Sequence, residues 1–224
     1  MAHLSEKEHA IVSDAVAQAE LTTSGEIVTV LADRSDGYSD VVLVWAAAAA
    51  FTAMSVFALF PAFFLDKIDL LTGGWNAQHT PGDIVAWAVG LGLVKFLAVW
   101  ALLSWDRLRF AFVPTPIRTM RVRDAAVRHF KVGAEQRTHG RTGVLLYLSM
   151  REHRAEIVAD ESIALKVPAE VWGDAMADML VEIRKGEVGA GIAAGVRDVG
   201  AVLSEHFPRG AHDENELPDR LIVV

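Results

Sequence analysis

The chain has no cysteine among its 224 residues. Disulfides, thiolate nucleophiles and cysteine-held zinc are therefore excluded. Positive charge is also short. Lys and Arg total 21 against 29 Asp and Glu, a formal net charge of −8. Nucleic-acid binding is not expected, because neutralising phosphates needs clustered Lys and Arg. Charge of either sign is missing from two long stretches. Residues 41–65 carry none, and residues 84–105 carry only Lys95. The first residues are polar and acidic, with no apolar run followed by a small-residue cleavage site, so no signal peptide is expected there. Familiar catalytic motifs are absent too. There is no HExxH, and the eight histidines are scattered. Gly189, Gly191 and Gly195 lie inside a predicted helix at the wrong spacing for a phosphate loop. They read as small residues that let helices approach.

What is present explains the mean hydropathy of +0.30. The run from Val41 to Leu65 and the run from Ile84 to Trp105 are each long enough to cross a hydrocarbon core of about 30 Å, which needs roughly 20 helical residues. Trp45, Trp87, Trp100 and Trp105 fall mostly toward the ends of these runs, as interfacial aromatics do. The sequence therefore predicts a transmembrane hairpin over 41–105, with helices at about 41–65 and 84–105 and a loop at 66–83. Lys67 is the only Lys or Arg in that loop, whereas Arg107, Arg109, Arg118, Arg121 and Arg123 follow the second helix. Cytoplasmic flanks are enriched in Lys and Arg, so both termini and the soluble part are expected in the cytoplasm, with the hairpin in a bacterial cytoplasmic membrane. Lys95 lies near the middle of the second helix, at a cost of about 2.5–3.5 kcal/mol on insertion scales. Antiparallel packing puts it opposite Thr52 and Ser55, whose hydroxyls are the predicted acceptors.

The remaining sequence alternates helix and strand. Residues 5–20 form an amphipathic pattern opened by Ser5 and Glu8 at capping-box spacing, and Glu26–Ala32 is β-branched and apolar. A helix is expected from Arg118 to about Ala134. Gly143–Met150 reads as a strand covered on both faces, and Arg154–Ala159 as its hairpin partner. Pro168 opens a helix with the strongest apolar stripe in the chain. A last helix covers about Val188–His206, and the tail from Pro208 is expected to be irregular. Residues 1–40 cannot bury a core alone, so they are expected to join residues 106–224 in one α/β unit.

The chemistry on offer is acidic. Asp160 and Glu161 directly follow a strand, where α/β sheets place sites. The tail holds Asp213, Asn215, Glu216 and Asp219. Such oxygen ligands suit Ca²⁺ or Mg²⁺, and these six residues are the candidate metal ligands.

The stretch RTHGRTGVLLYLSMREHRAEIVAD (Arg137–Asp160), the run from Lys166 to Pro208 and the ending DENELPD (Asp213–Asp219) together resemble the TPM domain. AELTTSGEIVTVLA (Ala19–Ala32) fits its first helix and strand. The resemblance implies a small α/β/α sandwich interrupted here by the membrane hairpin. The family it points to includes accessory factors of membrane complexes, some members described as acid phosphatases and some as Ca²⁺-binding. The expected function is thus a membrane-anchored accessory or interaction module. Its partners would be the lipid bilayer and another membrane protein or a second copy of itself. The alternative is a metal-dependent phosphohydrolase using Asp160 and the tail carboxylates.

Overall fold

Two wholly buried seven-residue strands carry the sheet, and their residues alternate between two cores. A computed structural model describes residues 4–73, 78–133, 142–210 and 217–224. Helix α1 (Glu6–Glu20) leads into β1 (Glu26–Ala32). After α2 (Ser39–Leu59), α3 (Pro61–Thr72), α4 (Pro81–Leu103) and α5 (Asp106–Phe112), the chain continues through α6 (Thr115–Gly133), β2 (Gly143–Ser149) and β3 (Arg154–Ala159). It then forms α7 (Glu161–Ala164), α8 (Trp172–Arg184), α9 (Val188–His206) and a two-residue β4 (Ile222–Val223). The sheet order is β3-β2-β1-β4, with β1 parallel to both neighbours and β2 antiparallel to β3.

Side chains alternate across a strand, and here both faces are covered. Ile27, Leu31, Val144 and Leu146 pack with α1, α8 and α9 around Val16, Met179 and Val196. Val28, Val30, Leu145 and Tyr147 pack against Val122, Ala126 and Phe130 of α6. Continuous apolar strands are what a two-sided core demands, and the predicted β2–β3 hairpin is present. The glycines of α9 act as predicted, by closeness. A Cβ on Gly191 would stand 2.8 Å from the Met179 carbonyl oxygen, and one on Gly189 would stand 2.6 Å from Glu8 Cβ.

The chain divides into two compact units, one of residues 1–36 with 115–224 and one of residues 37–114. The first is the discontinuous α/β unit. In the second, α2 and α4 pack as a hairpin. The seam closes at Gly92, where a Cβ would stand 2.7 Å from Met54 Cγ. Close approach at small residues is how apolar helices associate in lipid. Both helices are long and apolar enough to cross a membrane.

Three expectations are corrected. The first apolar run is not one helix to Leu65. It breaks at Phe60 (φ −129°, ψ 53°) and restarts at Pro61, because proline lacks the N–H and its ring clashes with the preceding turn. The segment expected as loop 66–83 is helical through Thr72, and α4 begins at Pro81 behind a capping box of Thr80 and Asp83. The tail is not wholly irregular: Ile222 and Val223 pair with Val30 and Leu31, and Leu217 and Leu221 are buried.

Candidate functional site

Two places concentrate chemistry, one in each unit. In the α/β unit, carboxylates gather where β1 and β2 begin. Glu20, the last residue of α1, is nearly buried, and its Oε1 accepts the Ile27 N–H at 2.8 Å. Glu26 opens β1, and its Oε2 accepts the Leu217 N–H at 3.2 Å. Burial pushes the Glu20 pKa up to about 8, and the neighbouring Glu26 and Asp219 carboxylates add to the rise. Near neutral pH Glu20 is therefore chiefly a neutral acid that donates to Asp219, in keeping with the cost of burying like charges together.

Asp160 sits at this same end of the strands. Its Oδ2 accepts the Gly143 N–H at 2.9 Å, and the Asp160 N–H donates to the Gly143 carbonyl at 2.9 Å. The carboxylate thus completes the ladder beside the residue that pairs with Glu26. Glu161 is exposed in the first turn of α7, and Asp219 faces Glu20. Asp213, Asn215 and Glu216 lie outside the described residues. Among the described residues no three His, Cys, Asp or Glu side chains are grouped to hold a metal ion. Sequence reasoning passed over Glu20 and Glu26. The legible signal was an acid in the last turn of a helix, where the macrodipole favours cations.

The opposite ends of β1 and β2 hold a closed polar network. Ser149 donates to the buried Glu152, which also accepts the Ser35 N–H at 2.9 Å. The Ser35 and Tyr147 hydroxyls share a bond of 3.1 Å, and His129 stacks on the Tyr147 ring. These groups satisfy one another inside the fold.

In the hairpin unit a cavity of about 750 Å³ runs beside the α2–α4 seam. Ala48, Ala49, Thr52 and Ala53 form one wall, at the spacing of a single helical face, and Leu91, Lys95 and Val99 form the other. The structure brings Lys95 and Thr52 to one groove, whereas Ser55 is exposed outside it. Thr52 donates to the Ala48 carbonyl at 2.7 Å, so its hydroxyl proton is used within its own helix. The end of α4 is held by Arg109. That guanidinium donates to the carbonyls of Leu103 (3.3 Å), Ser104 (2.9 Å) and Gly37 (3.1 Å). A cation on unpaired carbonyls at a helix C-terminus both caps it and meets the negative end of its dipole.

An α/β domain whose sheet is completed across an inserted apolar hairpin is the class these observations define. Residues 107–202 match the family model of the TPM domain. The match leaves out α1 and β1, which the structure adds to the same unit. The solved NMR structure of the BA42 protein from the psychrophilic bacterium Bizionia argentinensis sp. nov. is similar, with a TM-score of 0.55 and 17% identity over 99% of this chain and 95% of that one. At that identity the likeness concerns the fold. No curated protein matches in sequence.

Proposed function

We propose that this protein is a membrane-anchored TPM domain that serves as an accessory module of a membrane protein or complex. The observation that carries the reading is the surface of the hairpin. In the most apolar windows of α2 and α4 only 22% and 6% of residues are buried. Core helices of a soluble protein would be covered by the rest of the chain, so hydrocarbon is the natural cover. At 1.5 Å per residue the helices are about 31 and 34 Å long, which matches the core of a bilayer. The Arg-rich flank after α4 favours the cytoplasmic side for both termini.

Alkaline carbonate extraction of native membranes tests the anchor, and the chain should stay in the pellet. A reporter fused after Val224 should be active only in the cytoplasm. Activity only outside would reverse the topology. Crosslinking in native membranes should trap a specific partner, and repeated failure to do so would count against the accessory role. A divalent cation at Asp219 and the tail acids is a subsidiary proposal, supported by the carboxylates around Glu20. The hydrolase alternative is less well supported, because the Asp160 carboxylate is engaged by the Gly143 N–H.

A further inference from the structure

We propose that the groove between α2 and α4 receives one transmembrane helix of a different membrane protein, and that this helix carries a single Asp or Glu that pairs with Lys95. The proposal rests on the membrane-anchored reading and specifies the partner's chemistry. The groove is apolar apart from Lys95 and Thr52. Among the described residues Lys95 has no ion-pair or hydrogen-bond partner. A cation in that setting is costly until an anion reaches it.

Three occupants differ in whether they bring that anion. Acyl chains fill an apolar groove and leave the ammonium unpaired. A lipid phosphate stays at the surface, and Lys95 lies about 12 Å along α4 from its nearer end at Leu103, at 1.5 Å per residue. Helical side chains lean toward the helix N-terminus, so Lys95 leans away from Leu103 and snorkelling toward that surface is opposed. A second copy brings no carboxylate either, because residues 41–59 carry no charge and residues 84–103 carry only Lys95. A foreign helix with one acid supplies the anion at the right depth, and pairing relieves the cost of both charges. Ala48, Ala49 and Ala53 on the facing wall allow its backbone to come close.

The absence of native cysteine makes the test direct. The full chain, labelled at Gly82→Cys, is reconstituted in phosphatidylcholine vesicles with a dye-labelled leucine-rich transmembrane peptide bearing one central Glu. Energy transfer reports association. The Glu peptide should bind at least tenfold more tightly than its Gln or Leu versions. Lys95→Met should remove that preference and Lys95→Arg should keep it. Ala49→Phe, which fills the groove and leaves Lys95 in place, should weaken the Glu peptide at least tenfold. Equal binding of the three peptides, or a Glu preference that survives Lys95→Met, overturns the proposal. Displacement of the Glu peptide by added phosphatidylglycerol also overturns it, in favour of a lipid ligand. A chain that carbonate strips from the vesicles would overturn the anchored reading and this proposal with it, which tells the two failures apart.

Discussion

Glu20 makes stability depend on pH in an unusual direction. Its folded pKa is about 8 against an ordinary value of 4.5. Between those values the folded state holds a proton that the unfolded chain has released. By linkage, this contribution is fully present below about pH 4.5 and is lost as pH rises through about 8. Thermal melts of the full chain in detergent should therefore show the midpoint falling as pH rises from 5 to 9. Glu20→Gln, which keeps the acceptor for Ile27 and a donor toward Asp219, should flatten that slope. An unchanged slope would remove Glu20 as its source. A divalent cation bound at these carboxylates, as proposed above, would compete with the same proton, so millimolar Ca²⁺ should then raise the midpoint more at pH 8 than at pH 6. A ligand at 100 times its Kd adds about 2.7 kcal/mol, and Asp219→Asn should abolish the effect. Asp160 shows the limit of reading acids from sequence. Its place after β3 was legible, but its bond to Gly143 needed β2 and β3 in register.

Among the elements, helices and central strands were the legible part. The boundaries of β1 and β3 follow from turn residues around apolar runs, and α9 from its apolar stripe. The break at Pro61 was marked by the proline itself, yet the run around it is so apolar that composition favoured one continuous span. Strand β4 was hidden for another reason. Two residues carry no periodicity, and their partners Val30 and Leu31 are remote in sequence. The energetics of the tail are testable at Leu217, which is buried with Val28 and Val30. Leu217→Ala should destabilise the α/β unit by about 2–4 kcal/mol, measured by denaturant unfolding. Gly191→Ala places a methyl against the Met179 carbonyl, which is backbone and cannot step aside. Overpacking of that kind costs about 1–3 kcal/mol. A neutral melt for Gly191→Ala would mean that α8 and α9 separate at little cost.

At the scale of the whole molecule, the α/β unit is assembled from residues 1–36 and 115–224. Joining residues 1–36 to 115–224 with a short flexible linker should give a soluble, cooperatively melting protein. Failure to fold would mean that the unit depends on the hairpin. The discontinuity also orders events during synthesis. Ser24 and Thr142, bonded across the start of the sheet, are 118 residues apart. At about 5–20 residues per second the ribosome needs roughly 6–24 s to span that interval. For that time β1 is an apolar strand without its β2 partner, while the apolar hairpin that follows it has already been made. Biogenesis of this protein is thus a problem of waiting. Whatever shields β1 during that pause decides how much of the newly made chain reaches its folded state.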